Sequence, residues 1–426
     1  MSGLSYASRL VIGASALTVA GCTLPAHTTP SAAPASDSAE IVADVAYLAS
    51  PALAGRLIGT PGNDSAAAYI ARRYQSLGLR ALAVGYKQPF AAHPPVREGP
   101  RPTIPTQNVF ALIPGRDEAL RGQYVVIGAH FDHLGTSTDG ALDPEARGVR
   151  RGADDNASGT AAVMALAAHF ARTPARRSVI VANFSGEEQG LLGSSYFVDH
   201  MPVPIDSVDA MLNFDMVGRL RNDKLLVFGV ATATEWPSIV DAANTQPKLA
   251  IAAQGDGFGP SDHSSFYAKN IPVLHFFTDQ HEDYHKVSDI PERINAGGEA
   301  RIVALAERIA RDVADRPARL SFVRAAVSQA ASTRTGSGVY LGSIPDMAGG
   351  DVPGLRLTGV TSGSPADVGG IKAGDIIIEL DGKSIKDLYT YSDALYAHKP
   401  GDEVTIVLVR EGQRLTRRVT LGKRGG

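Results

Sequence analysis

The chain is almost without sulfur chemistry. A single cysteine, Cys22, occurs in 426 residues, so no intrachain disulfide can form. An excess of either charge is missing too. The net charge of −3 gives no general electrostatic case for nucleic acid as a partner. No internal repeat is visible, and the apolar stretch near the N-terminus is short for a membrane span. What remains is a globular composition, 44% hydrophobic and 20% charged. The length exceeds one ordinary domain and suits two.

The lone cysteine has an informative context. MSGLSYASRLVIGASALTVAGC carries one arginine, Arg9, then an apolar stretch, then Val19-Ala20-Gly21-Cys22. This resembles a bacterial lipoprotein signal, which implies removal of residues 1–21 and lipidation of Cys22 as a membrane anchor. Thr23 rather than aspartate follows the cysteine. By the same resemblance this implies sorting to the outer membrane, facing the periplasm or the cell surface. Residues 22–39, rich in Pro, Ala, Ser and Thr, read as a disordered tether.

Residues 40–318 read as an α/β unit. Ile41, Val45 and Leu48 share one helical face, and Ala67, Ile70, Tyr74 and Leu77 another, with the Gly/Pro loop AGRLIGTPGND between. From residue 108 strands and helices alternate. NVFALIPG, YVVIGAH, SVIVANF, DAMLNFD, KLLVFGV and IPVLHFF read as strands; 157–171, a segment from about Gly190, 235–244 and 297–313 read as helices. Continuous apolar strands separated by helices predict a mostly parallel central sheet sandwiched by helices. The proline-rich stretch 88–107 reads as a loop at the rim of a cleft. Residues 319–335 read as a linker, and 336–424, glycine-rich with short strands, as a small mainly-β unit.

Polar residues collect where the strands end. In open α/β sheets ligands bind beyond the carboxyl ends of the strands. His130 and Asp132 follow YVVIGA, Glu187 and Glu188 follow SVIVANF, Asp215 ends DAMLNF, and Asp154 and Asp155 precede a predicted helix. One carboxylate there is a helix cap; several with a histidine need a positive charge among them. Histidine with carboxylates and no thiolate suits zinc, with manganese or cobalt as alternatives. A bridging carboxylate between two metals would make a hydrolytic site, and of two adjacent glutamates one can coordinate while the other acts as general base.

The motifs GAHFDHLG, GADDNASG, SGEEQGLLGS, NFDMVG, SDHSSF and DYHKVSD, in this order, resemble the co-catalytic di-zinc aminopeptidase family over residues 40–315. The resemblance implies a zinc-exopeptidase-like fold and two Zn2+ per subunit. It implies His130, Asp155 and Asp215 as ligands of one ion and Asp155, Glu188 and His285 as ligands of the other. Glu187 is then the general base, Asp132 the partner that orients His130, and Tyr284 a hydrogen-bond donor to the tetrahedral intermediate. The implied reaction is attack of a zinc-activated hydroxide on a peptide bond, removing N-terminal residues from peptide substrates. Asp154 reads as a helix cap or the orienter of a neighbour, His133 as a surface residue or a partner beside the ligands, Asp262 and His263 as structural or rim positions, His275 as a core histidine, and Asp289 as either the orienter of a ligand histidine or the start of a turn. A carboxypeptidase or a glutaminyl cyclase on the same scaffold is the alternative, and a peptide-binding protein with a vestigial metal site the non-enzymatic one.

SGVYLGSIPD and GSPADVGGIKAGDIIIELDG resemble a bacterial-type PDZ domain. The resemblance implies a carboxylate-binding loop at Tyr340, Leu341, Gly342 and Ser343, able to take a peptide or protein C-terminus. Asp381-Gly382 reads as a hairpin turn.

Overall fold

A computed structural model describes residues 1–3, 35–94, 100–245, 248–325, 339–345, 353–360, 363–386, 390–391, 394–395 and 397–423. Cys22, and with it the signal and lipidation reading, lies outside the described residues. Among those described, no helix is long and apolar enough to cross a membrane. The chain divides into two units, Met1–Ala32 and Ala33–Gly426; of the first only residues 1–3 are described.

The first helix, α1 (Ala35–Leu48), buries Ile41, Val45 and Leu48 as their spacing requires. It begins inside the stretch read as tether, so that reading ends too late. Composition alone misses the reason: Asp37, in the first turn, is held by His169 of a later helix. Helix α2 (Pro61–Ser76) starts on Pro61, with the Thr60 hydroxyl accepting from the Asn63 N–H.

An eight-stranded sheet follows, built from β1 (Lys87–Ala92), β2 (Ile104–Ile113), β3 (Tyr124–His130), β4 (Ser178–Phe184), β5 (Val208–Phe214), β6 (Lys224–Phe228), β7 (Ala250–Ala253) and β8 (Val273–Phe277). The spatial order is β1-β2-β4-β3-β5-β8-β6-β7. The centre, β4-β3-β5-β8, is parallel; β1-β2, β2-β4 and β6-β8 are antiparallel, so the sheet is mixed toward its edges. Strand β1 corrects the rim-loop reading of 88–107: Lys87–Ala92 pairs with Ile104–Val109, an edge position that tolerates Pro89.

Helices α3 (Gly159–Arg172), α4 (Leu192–Asp199), α5 (Trp236–Ala243), α6 (His263–Tyr267) and α7 (Ala296–Asp315) complete the unit. In α3 every residue from Gly159 to Phe170 is buried, half of them glycine or alanine, which lets its backbone lie close under β3, β4 and β5. The unit also runs past residue 318. Leu320 is buried, its N–H donates to Asp209, and the Ala325 N–H donates to the Tyr267 hydroxyl. Residues 319–325 are therefore packed rather than linker, because they satisfy backbone and side-chain groups of the sheet's rim.

The C-terminal strands are β9 (Val339–Tyr340), β10 (Ser343–Pro345), β11 (Leu355–Val360), β12 (Ile376–Leu380), β13 (Lys383–Ser384), β14 (Glu403–Arg410), β15 (Gln413–Thr420) and β16 (Gly422–Lys423), with a short helix α8 (Pro365–Val368). The sheet order is β10-β11-β12-β14-β15, with β13 on β12. Asp381-Gly382 and Glu411-Gly412 turn the two hairpins with positive φ at both residues. Buried Asp375 is gripped by Arg410 at 2.6 and 2.8 Å.

His169 of α3 lies 3.2 Å from Asp37 and 2.8 Å from Glu307 of α7, tying α1 to the helical layer. Burial opposes its charge, but Glu307 and Asp37 outweigh burial and raise its pKa. Burial likewise opposes the charge of Glu307, and His169 and Arg311 hold it down at about 2. The histidine's contribution is therefore complete below its ordinary value of 6.5 and fades as pH rises through the raised value. The glutamate's is complete above 4.5 and fades as pH falls toward 2. His169→Gln is expected to lower stability by about 1.5–3 kcal/mol near pH 5.5, and by less near pH 9, in thermal unfolding. A pH-independent difference would contradict the clamp.

Candidate metal centre

Parallel pairing sets the ends of β3, β4 and β5 side by side: His130 is level with Phe184, and Gly128 with Asn213. The segments that leave these strands carry His130 and Asp132, Glu187 and Glu188, and Asp215 to one edge of the sheet. Strand β8 runs beside β5, and the loop after it carries Tyr284 and His285.

Asp155 sits on a distorted turn just before α3. Gly152 opens it at φ +57; a Cβ there would meet the Asp155 carbonyl at 1.9 Å and the His133 ring at 2.5 Å, so only glycine fits. The Asp289 carboxylate accepts the N–H groups of Asp154 and Asp155 at 3.0–3.1 Å. Its role is thus to hold the Asp155 backbone, neither of the two roles expected of it. Asp154 accepts from Gly218 N–H and Ser158 and faces His281, which makes it a structural tie. Asn156 bonds Phe214, Gly159 and Met216, lashing the turn to the end of β5. The Asp155–Asn156 peptide is cis.

The expected residues converge. His130 Nε2 is 3.4 Å from Asp155 Oδ1 and 3.4 Å from Asp215 Oδ1. His285 Nε2 is 3.1 Å from Asp155 Oδ2 and 3.1 Å from Glu188 Oε2. The two oxygens of Asp155 therefore face two different donor sets. Donor atoms about 2.0–2.1 Å from a tetrahedral zinc stand about 3.3 Å apart, so both sets have the spacing of a metal cage. Both histidines present the required nitrogen. His130 Nδ1 is 3.3 Å from the Asp132 carbonyl and His285 Nδ1 is 2.7 Å from the Gly140 carbonyl, so each Nδ1–H has an acceptor and each Nε2 faces carboxylates. His130 Nε2 and Asp215 Oδ1 are buried with no hydrogen-bond partner among the described residues. The groups His130–Glu187–Asp215 and His133–Asp155–Glu188 are also close enough to hold an ion. The His130–Glu187 distance of 3.9 Å is looser than His130–Asp155, leaving Glu187 the outlying member.

The adjacent glutamates are pushed in opposite directions. Burial raises the pKa of Glu187 well above the carboxylate range, and Asp215, Glu188 and Asp262 add to it against His130. Burial acts on Glu188 as well, but His285 and His133 overcome it and hold its carboxyl well below the ordinary value. Burial lifts Asp132 to about 6 and keeps Tyr284 protonated. The carboxylates crowded around His130, His133 and His285 form a donor set that fits a cation.

Asp132 acts differently from expectation. Its carboxylate accepts the N–H groups of Glu187 and Glu188 at 3.2 and 3.4 Å, and lies 3.8 Å from His130 Nδ1. It fixes the glutamate turn more closely than it orients the histidine. The Tyr284 ring stacks on His285 at 3.8 Å. Asp262 and His263 are wholly buried, so neither is at a rim. His275 is a core histidine: Asn213 bonds its Nδ1, and burial pushes its pKa to about 4.

Arg56 was not legible as a site residue, and of the two places open to His133 the structure takes the one beside the ligands. Arg56, within AGRLIGTPGND, is wholly buried and donates to the carbonyls of Phe131, Leu48, Arg151 and Gly152 at 2.6–2.9 Å. It is a fixed cation beneath the strand end and the Asp155 turn. A loop arginine normally reads as surface, and only its place in the motif set it apart. His133 is buried against Glu188; its one sequence signal was its place in GAHFDHLG.

Comparison with known proteins agrees with this architecture. The model of peptidase family M28 matches residues 108–310, and that of the PDZ domain matches 332–421. A probable zinc metalloprotease of Leptosphaeria maculans is 36% identical over 157 residues, 36% of this chain and 33% of the relative. A probable leucine aminopeptidase of Trichophyton verrucosum is 30% identical over 175 residues, 39% of this chain and 44% of the relative. The match thus spans less than half the length of either. An aminopeptidase structure from Aneurinibacillus sp. strain AM-1 covers 68% of this chain and 97% of its own, at 17% identity and TM-score 0.55. Bacteroides thetaiotaomicron glutaminyl cyclase bound to N-acetylhistamine covers 66% and 99%, at 16% identity and TM-score 0.54. At such identities the likeness is one of fold. The two family matches thus make residues 108–310 a peptidase family M28 domain and residues 332–421 a PDZ domain.

Proposed function

We propose that the protein is an aminopeptidase working with two zinc ions, one held by His130, Asp155 and Asp215 and the other by Asp155, Glu188 and His285. The observation that carries the reading is the Asp155 carboxylate, each oxygen 3.1–3.4 Å from a different histidine Nε2. Bound zinc supplies Lewis acidity, polarising the scissile carbonyl and easing the ionisation of water.

The chain's own groups do the rest. Glu187 is the outlying carboxylate, and burial gives its carboxyl a high proton affinity. It accepts the proton of the attacking water and returns it to the leaving amine. Asp132 keeps that carboxylate in reach by holding the N–H groups of Glu187 and Glu188. Tyr284, kept protonated, donates to the oxygen on which negative charge develops. The carboxylate-rich centre also favours a substrate's free ammonium group, which supports cleavage at the N-terminus. The glutaminyl cyclase fold likeness is the basis of the second reading. The donor set at His130 and Asp215, beside that at His285 and Glu188, favours hydrolysis with two ions.

In the PDZ domain we assign C-terminal peptide capture to Tyr340–Ser343. Gly342 has φ +83, and Ser343 opens β10, which ends the sheet path beside β11 and leaves an edge for an added strand. The Ser343 hydroxyl bonds that of Tyr391.

Three outcomes are expected. Glu187→Gln should lower turnover of aminoacyl-anilides by about 10²–10⁴-fold with metal content unchanged. Free peptides should be trimmed from the N-terminus and N-acetylated ones left intact. Cleavage of the acetylated set, or glutaminyl cyclisation without hydrolysis, would favour the alternatives. In fluorescence polarisation with the full chain, amidating a peptide's C-terminus should weaken binding at least about tenfold, the loss of one charge-assisted contact set. Equal binding would contradict carboxylate capture.

A further inference from the structure

His133 follows Asp132 on the segment leaving β3 and is wholly buried. Its ring is confined on two sides. The Gly152 backbone lies where a Cβ would come within 2.5–2.6 Å of ring carbons. The His285 ring meets it edge-on, centroids 5.7 Å apart at 69°. Its Nδ1 is 2.5 Å from Glu188 Oε1 and 3.8 Å from Asp155 Oδ2, and its Nε2 is buried with no hydrogen-bond partner among the described residues.

Two roles fit a histidine so placed: a metal ligand beside Glu188, or a hydrogen-bond donor to it. The distances decide. Two donor atoms on one tetrahedral zinc stand about 3.3 Å apart. A separation of 2.5 Å is well short of co-ligand spacing and falls on the hydrogen-bond side of it, a tight contact from imidazole to carboxylate. A ligand carboxylate accepts, so in this contact the proton is on His133 Nδ1. Glu188 is then divided: Oε1 is taken by His133, while Oε2 faces His285 at 3.1 Å, the cage spacing.

We propose that His133 is a positioning residue that clamps Glu188 through Oε1, so that only Oε2 reaches the ion shared with His285 and Asp155. This rests on the two-ion reading above. Free of the clamp, Glu188 would swing between one-oxygen and two-oxygen coordination and lose its fixed distance from Asp155. The clamp acts on one ion and leaves the set His130–Asp155–Asp215 alone.

The test is zinc titration by calorimetry on chelator-stripped full-length protein, with the absorption spectrum of the cobalt-loaded form as a second readout. Wild type should take two ions. His133→Ala should weaken one of them about 10–100-fold and leave the other unchanged, the usual size for loss of a ligand's partner. His133→Asn restores an N–H donor near the Nδ1 position without an imidazole nitrogen. It should recover most of the lost affinity and a cobalt spectrum like that of wild type. Wild type binding fewer than two ions sinks the two-ion reading itself. Two ions in wild type with unchanged affinities in His133→Ala overturns the clamp. So does His133→Asn as weak as His133→Ala, because that result means ligation. If His133→Ala does not fold, His133→Asn decides alone, full affinity supporting the clamp and reduced affinity overturning it.

Discussion

The structure turns on one buried carboxylate whose two oxygens look in different directions. Asp155 Oδ1 faces His130 and Oδ2 faces His285, so it belongs to two donor sets at once. Such a group is costly to bury and is made worse by Glu188 and Asp215 beside it. Opposite charge nearby is the remedy. In front, the imidazole nitrogens and carboxylate oxygens leave a place for a cation. Behind stands Arg56, a guanidinium with no exposure, whose donors end on the carbonyls of Leu48, Phe131, Arg151 and Gly152, the last two leading into the Asp155 turn.

Position follows from the same economy of groups. Asp289 takes the backbone N–H groups of Asp154 and Asp155, Asp132 takes those of the two glutamates, and Asn156 joins the turn to β5. Buried carboxylates and amides thereby satisfy the loop amides that a sheet ladder would have satisfied. The adjacent glutamates separate for a related reason. Two histidines sit against Glu188 and keep it ionised, while Glu187 looks toward other carboxylates and favours its proton. Divergent proton affinities in neighbouring acids are what the proposed division between holding an ion and transferring a proton would need.

Much of this was legible in the sequence. SVIVANF and YVVIGAH are continuous apolar runs, buried almost throughout, and the polar residues that end them stand out against such runs. Asp155, Glu188, Asp215, His130 and His285 were found that way or through the ordered motifs, and they meet. What stayed hidden depends on contacts far along the chain. A loop arginine gives no sign that it will be buried under a strand end. His133 shows its neighbour Glu188 only after folding brings residues 133 and 188 together. Prolines in 88–107 masked a hairpin whose edge strand needs no donor at Pro89, and polar composition masked a helix that starts at Ala35 because His169 reaches Asp37.

The most direct measurement is anomalous diffraction at the zinc edge from crystals grown with the metal. Two peaks are expected about 3.5–4 Å apart with Asp155 between them, one bordered by His130 and Asp215, the other by Glu188 and His285. A single peak, or an Asp155 carboxylate turned away from either ion, would contradict the account.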